Sequence, residues 1–455
     1  MAFSRTLHRG LSALLVVAGL VSPAAAQFTQ SPPGAVKGVL GQGSGAAGAP
    51  AVTMTIDADA GYQDNSVPEA DGQAVDQPDY IQSGYVGSVG GGIRFQAGRL
   101  NRYVLGTANG SANQEQVSSE LRSLRLYRGI GSFQAGTNLG RRSGVTMGVG
   151  VSYEPTYLFG AFSPLDRNGS GASPVEGTPQ PAEPANVSLT QQRWISTTAN
   201  LGVFHNWTSR QRLGVRYESF RLRPITGTGF ESNRNSGALN YLWNRTQAMR
   251  LDFNYQYDDN PQVFEDIERP LNTQSAEGRV RYEHRIAPGR SIAVMGGAGL
   301  VRVRTGALVN EPAFGVTSPT VSASLDYDLS RVWKVGVSAR RDVTVLNGLS
   351  PEPFKSGVAM ASLDGTLGRR LFLGLNGGVS RGRALHATFG QYNLTTFNAQ
   401  LRYNLGSYAG LQVRYTYNDH EFRNVSLLPD SIPVRYNRNA VRVGLTFWFP
   451  LFGSF

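Results

Sequence analysis

The chain of 455 residues contains no cysteine. That excludes a disulfide scaffold, thiolate metal ligation, a cysteine nucleophile and a lipidated N-terminal cysteine. Lysine is nearly missing as well. Of 43 Lys and Arg residues only Lys37, Lys334 and Lys355 are lysine, so the net charge of +11 is an arginine charge. Charged residues amount to 16%, well under the roughly one quarter usual in globular proteins, and aromatics hold at 10%, which together speak against a disordered polyelectrolyte. No stretch beyond the N-terminus reaches the ~18 consecutive apolar residues of a membrane helix. Glycine is what the chain has in excess, with 55 residues against a usual ~7%.

The first 26 residues, MAFSRTLHRGLSALLVVAGLVSPAAA, place Arg5 and Arg9 before an apolar core from Leu11 to Val21. Ala24, Ala25 and Ala26 follow as a small-residue cleavage site. This is the layout of a secretory signal peptide, and its apolar run is too short for a spanning helix. Residues 27–50 are rich in Gly, Ala and Pro without periodicity, as expected of a flexible periplasmic tether.

From residue 51 onward the dominant period is two. In LDFNYQYDD, Leu251, Phe253, Tyr255 and Tyr257 share one face, while Arg250, Asp252, Asn254, Gln256 and Asp258 share the other. FNAQLRYNL (397–405) and LQVRYTYND (411–419) repeat the pattern. Side chains alternate across a strand, so each segment has one apolar and one wet face. Short connections such as 98–101, 208–212, 287–290 and 405–408 alternate with long ones such as 64–79, 161–190, 258–272 and 419–431. That organisation predicts an all-β fold: a single transmembrane antiparallel up-and-down β-barrel over 51–455, with both termini periplasmic. The segments count to about eighteen strands; glycine-rich GYVGSVGGGIRF (84–95) and LFLGLNGGVS (371–380) blur the alternation and make sixteen the competing count. A soluble sandwich would face its apolar side with aliphatics. Here Trp194, Phe204, Trp207, Trp243, Trp333, Tyr415, Tyr417, Phe447 and Phe449 crowd the strand ends, like the interfacial girdles of a membrane barrel.

The last strand, NAVRVGLTFWFPLFGSF, alternates Val441, Val443, Leu445, Phe447 and Phe449 and ends in Phe455. It resembles the terminal signal of Gram-negative outer-membrane β-barrel proteins, which implies recognition by the barrel-assembly machinery. Pro450 and Gly453 depart from that signal and place Phe449 nearer the membrane edge. Signal peptide, Gly/Pro tether, strand number and the ending RNAVRVGLTFWFPLF are similar to the β-barrel porins associated with polysaccharide secretion. That resemblance implies a polysaccharide secretion system as partner.

A barrel of this size leaves a channel unless something plugs it. The expected pore-lining residues are Arg250, Asp252, Arg279, Arg281, Glu283, Arg302, Arg304, Arg340, Arg402, Arg414 and Arg442. Arg279, Arg281, Glu283 and Arg285 form a charged ladder on one strand, with Arg302 and Arg304 expected on the same side of the next. Arginines on a pore wall favour anions, unless lumenal acids neutralise them. The expected function is a porin-like outer-membrane channel, passive or part of an export system, for anionic solutes or polysaccharide. The alternative is a closed binding or assembly barrel that meets partners through its external loops; an outer-membrane enzyme is the lesser alternative.

External arginines are expected to meet lipopolysaccharide phosphates, and the basic charge implies no nucleic-acid partner in a secreted barrel. Loop 161–190 is expected outside the barrel, with an inward constriction as the competing arrangement. No catalytic, metal or cofactor set is legible. NDHEF (418–422) brings Asp419, His420 and Glu421 together, but alternation separates them on a strand, and a solvated loop is expected there. Glycine-dense GSVGGGIRF (87–95) lacks the strand–helix setting and the Lys-Ser/Thr of a phosphate loop.

Overall fold

The structure is a computed structural model and describes residues 51–452, except 67–81, 100–101, 118–122, 155–156, 160–186, 191–193, 226–230, 265–266, 307–312, 331, 346–352, 369, 386–389, 407 and 424–434. The expected signal peptide (1–26) and tether (27–50), most of connection 161–190, and Phe455 lie outside the described residues.

Chain order gives β1 (Ala51–Ser66), β2 (Gln82–Arg99), β3 (Arg102–Val117), β4 (Ser123–Asn138), β5 (Ser143–Glu154), β6 (Tyr157–Phe159), β7 (Val187–Thr190) and β8 (Trp194–Asn206). There follow β9 (Gln211–Pro224), β10 (Glu231–Asn244), β11 (Met249–Asp259), β12 (Gln262–Phe264), β13 (Ile267–Arg269), β14 (Leu271–Ala287) and β15 (Arg290–Thr305). The rest are β16 (Phe314–Asp328), β17 (Trp333–Val345), β18 (Pro353–Leu367), β19 (Leu371–Ala384), β20 (Gln391–Asn404), β21 (Ala409–Arg423) and β22 (Arg435–Phe452).

Eighteen of these strands form the wall of one closed antiparallel barrel, which decides against the count of sixteen. The pairs β6–β7 and β12–β13 are short hairpins within long connections and were not legible as alternating segments. Each wall strand pairs with its chain neighbours, and β1 pairs with β22 from Val52↔Phe452 to Gln63↔Ala440 to close the ring. Closure leaves no unpaired edge. Pro450 does not end the last strand: β22 runs through it to Phe452, with a register shift opposite Val52 and Thr53. Ala51, Phe452 and the tight turns lie at one rim, the short-turn end; Gly140 and Gly289 take positive φ there, 93° and 78°, which glycine adopts at no steric cost.

The outer surface explains why these strands must sit in hydrocarbon. Val149 and Val215 are each 56% exposed and Leu300 57%, and the two valines are flanked on the same face by Met147, Val151, Leu213 and Tyr217. A belt of this extent carries a prohibitive exposure in water but suits lipid. Aromatics rim the belt. Trp207, Tyr282 and Phe447 stand at the short-turn end, and Tyr62, Tyr85, Tyr127, Tyr217 and Tyr257 at the long-loop end. The tyrosine hydroxyls find partners across strands: Tyr217 donates to Asn235 at 3.0 Å, Tyr257 to Asn272 at 3.1 Å and Tyr415 to Asn439 at 2.8 Å. Two residues expected in this girdle face inward. Trp194 is buried on the inner face, and Phe204 carries the guanidinium of Arg212 there. Each shares its strand's inward parity.

The glycine excess belongs to the wall. Tyr103 lies opposite Gly136, Phe204 opposite Gly144, Trp333 opposite Gly365 and Tyr392 opposite Gly382. In each pair the ring occupies the space a Cβ would need. At the closing seam a Cβ on Gly61 would lie 2.0 Å from the Val441 carbonyl oxygen, a backbone atom that cannot swing aside. Gly61→Val should therefore obstruct pairing of β1 with β22 and destabilise the barrel by roughly 1–3 kcal/mol. Gly87→Val, whose nearest neighbour would be 4.0 Å away, should leave it near wild type. Denaturant titration of the refolded barrel, read by heat-modifiable electrophoretic mobility, compares the two.

Candidate functional site: the charged inner wall

Residues two apart on a strand share a face, and the inner wall uses that spacing repeatedly for ion pairs. Arg216 and Arg234 bind Glu218 at 2.6 and 2.7 Å. Arg250 binds Asp252 at 2.8 Å and Arg279 binds Glu277 at 2.7 Å, while Arg340 pairs with Asp342. Arg281 lies farther from its acids, 3.9 Å from Glu283 and 4.0 Å from Asp326.

One network crosses four strands. Arg279, Gly297, Ser322 and Arg340 occupy a single cross-strand row from β14 to β17. The Ser322 hydroxyl donates to Glu277 at 2.7 Å, on the carboxylate that Arg279 also holds. Gly297 makes room, since a Cβ there would sit within 3 Å of Ser322, Arg279 and Glu277. Glu277 and Arg279 side chains are 5% and 8% exposed. Glu277 was missed at the sequence level although it stands on the phase of Arg279; its role with Ser322 depends on pairing that no local pattern reveals.

A second group stands toward the short-turn end. Arg250 is directly opposite Arg281 across β11 and β14. Arg212, also absent from the sequence expectation, stacks on Phe204 at 4.0 Å and hydrogen-bonds Asn206 at 3.0 Å. Its visible signal is its alternation with Leu213 and Val215. Arg402 lies between two rings, 5.4 Å from Phe372 and 5.6 Å from Trp448. Aromatic faces hold a guanidinium without cancelling its charge.

The closing seam gathers acids instead. Asp57 and Asp59 are buried on β1, with Arg442 3.7 Å from Asp59. Arg414 of β21 interacts electrostatically with both acids.

The structure therefore brings Arg250, Asp252, Arg279, Arg281, Glu283, Arg340, Arg402, Arg414 and Arg442 onto the inner face. Arg302 and Arg304 are different. They pair with Gln274 and Asn272, on the parity of Val280 and Tyr282, and point outward. The inward residues of that segment are Val301 and Val303, packed with Leu271 and Val343. The inversion has a physical reason: these residues stand above Leu300, the last outward apolar residue of β15, where the outer face no longer meets hydrocarbon.

On β18 to β21 the inner mouth at the long-loop end carries an apolar cluster. Tyr392 lies opposite Phe422, and Leu394 opposite His420. All four are almost fully buried, together with Phe354. The Phe354 and Tyr392 rings are 5.6 Å apart, and His420 and Phe422 are 5.3 Å apart. NDHEF is thus strand and not a solvated loop, because β21 continues to Arg423. His420 turns in while Asp419 and Glu421 turn out. At the outer rim Arg423 donates to Glu421 at 2.8 Å and holds that carboxyl below its usual range. Among the described residues no three His, Asp or Glu side chains form a metal-binding group.

Removing one partner of a buried ion pair strands the other, at a cost of roughly 3–5 kcal/mol. Arg279→Met should destabilise the barrel by about that amount, and the double variant Arg279→Met/Glu277→Gln should recover at least half of the loss. Unfolding titrations of the four corners of this cycle measure the coupling.

No family model and no curated protein matches the sequence. Among solved structures, the chain is similar to Pseudomonas aeruginosa OccK11 (OpdR), at a TM-score of 0.44 and 11% identity, over 89% of this chain and 96% of that one. It is similar to the outer membrane protein OpdK from Pseudomonas aeruginosa, at 0.43 and 10%, over 88% and 99%. It is also similar to the FrpB iron transporter from Neisseria meningitidis, at 0.44 and 9%, over 87% and 81%.

Proposed function

We propose that the protein is a porin-like channel of a Gram-negative outer membrane that favours anions. Its short-turn end faces the periplasm. The observation that carries this reading is the juxtaposition of Arg250 and Arg281 on the inner wall. Arg250 and Arg281 are direct cross-strand neighbours of like charge, and the acids near Arg281 stand at the limit of contact. Arg250 is held by Asp252 at 2.8 Å, so Arg281 supplies the positive charge in excess, and such charge on a wall of low dielectric raises the local concentration of anions. Small anionic solutes fit this chemistry, and so does an acidic polysaccharide carried by an export system.

The closed barrel is the second reading. It is favoured by the apolar inner mouth of Phe354, Tyr392, Leu394 and Phe422, since an apolar constriction dewets and stops ions.

Planar-bilayer recordings test both. The wild type should conduct and show a reversal potential on the anion side under a salt gradient. Arg250→Gln/Arg281→Gln should move that potential toward zero, with little change in unitary conductance. No conductance from folded protein, rescued by Phe354→Ala/Tyr392→Ala, would establish the closed barrel. Conductance without anion preference, unaltered by the arginine substitutions, would overturn the selectivity assignment.

A further inference from the structure

The outer face at the long-loop end is not uniform. On β1, β2, β4, β9, β11 and β21, tyrosines mark the upper edge of the apolar belt: Tyr62, Tyr85, Tyr127, Tyr217, Tyr257 and Tyr415. From β15 to β19 that girdle is missing, and basic residues take its place.

On β15, Leu300 is followed on the outward face by Arg302 and Arg304. On β17, Ala339 is followed by Arg341. On β18, Lys355 stands two residues above Gly357, and on β19 Val379 is followed by Arg381 and Arg383. The registers bring four of them together. Arg341, Gly357 and Arg381 form one cross-strand row, while Lys355 and Arg383 are direct neighbours in the row above. The five arginines are exposed and Lys355 is half-buried. Among the described residues no ion pair neutralises any of the six, and the outward face of β14 to β20 at this level carries no acid. By contrast β10 and β21, outside the sector, balance their rim charges through Arg223–Glu231 and Arg423–Glu421.

Strands about 4.8 Å apart make this a band about 20 Å wide. A membrane barrel puts this level at the headgroups, where arginine and lysine reach phosphate while their stems stay in the apolar layer. Water alone would not call for six cations with no acid partner among the described residues in place of an aromatic girdle. We propose that Arg302, Arg304, Arg341, Lys355, Arg381 and Arg383 form a docking surface for phosphorylated lipid headgroups of the leaflet at the long-loop end. Guanidinium forks bind phosphate oxygens in bidentate pairs, and rows on neighbouring strands engage more than one phosphate of a single headgroup. The inference rests on the barrel spanning a membrane and is independent of whether its lumen conducts.

The test uses the folded full-length barrel in a neutral detergent, with phosphorylated lipid A as probe. Native mass spectrometry counts retained lipid, and thermal unfolding reads its stabilising effect. Wild type should retain lipid A and gain stability. R302Q/R304Q/R381Q/R383Q should bind at least tenfold more weakly, while R141Q/R142Q/R210Q/R245Q, at the short-turn end, should bind like wild type. Dephosphorylated lipid A should bind weakly, and inorganic phosphate at equal concentration should neither stabilise the barrel nor displace the lipid. The pairs R302Q/R304Q and R381Q/R383Q, made separately, serve if the quadruple variant does not fold. Equal binding by wild type and band variants would overturn the proposal. So would equal binding of the dephosphorylated lipid, which assigns retention to acyl chains, or displacement by inorganic phosphate, which assigns the band to a free anion.

Discussion

A hydrocarbon solvent offers backbone amides and carbonyls nothing to bond with, so a sheet that crosses it must close on itself. The pairing of β1 with β22 is where this chain meets that requirement. Everything else in the structure adapts to it. Strands of 11 to 18 residues exceed the ~9–11 needed for a tilted crossing, so their ends extend into rims where the rules of the belt lapse. Glycines opposite aromatic rings let bulky side chains lie across the wall without prying strands apart. At the seam itself Gly61 allows the backbone of β22 to approach closely.

Closure divides the molecule into two surfaces with opposite chemistry. Outside, exposed valines, leucines and aromatics meet lipid. Inside, arginines and carboxylates spaced two apart brace the wall in pairs, and one such pair is extended through Ser322 toward Arg340. Pairing of this kind accounts for much of the arginine excess as structure. The remainder, Arg281 near one end and the outward band from β15 to β19, is charge with no acid closer than 3.9 Å among the described residues. The first faces the lumen and the second faces outward at the long-loop end.

The alternating pattern makes most strands legible in the sequence, because a period of two registers directly as an apolar and a wet face. LDFNYQYDD shows it: Phe253 and Tyr255 are outside and Asp252 inside, as the pattern demands. The same rule misled at VRVRT. Alternation identifies two faces, but which one is wet depends on depth in the membrane, and above Leu300 the apolar face of β15 is the inner one. Trp194 and Phe204 failed as girdle residues for a related reason, since aromatic character does not distinguish lipid from a crowded inner mouth. Glu277 joins Ser322 and Arg340 only through register, which local sequence does not encode. The polar run NDHEF hid a strand because its outward acids and inward His420 lie beyond the belt.

The chain's lack of cysteine permits a direct measurement of which face is wet. Single variants Arg281→Cys and Tyr282→Cys, reconstituted in lipid vesicles, can be exposed to a water-soluble maleimide and, separately, to a thiol-reactive fluorophore quenched by nitroxide-labelled lipid. The account predicts that position 281 reacts with the aqueous reagent and escapes lipid quenching, while position 282 does the reverse. Aqueous labelling at 282 with lipid quenching at 281 would contradict the assignment of the inner wall.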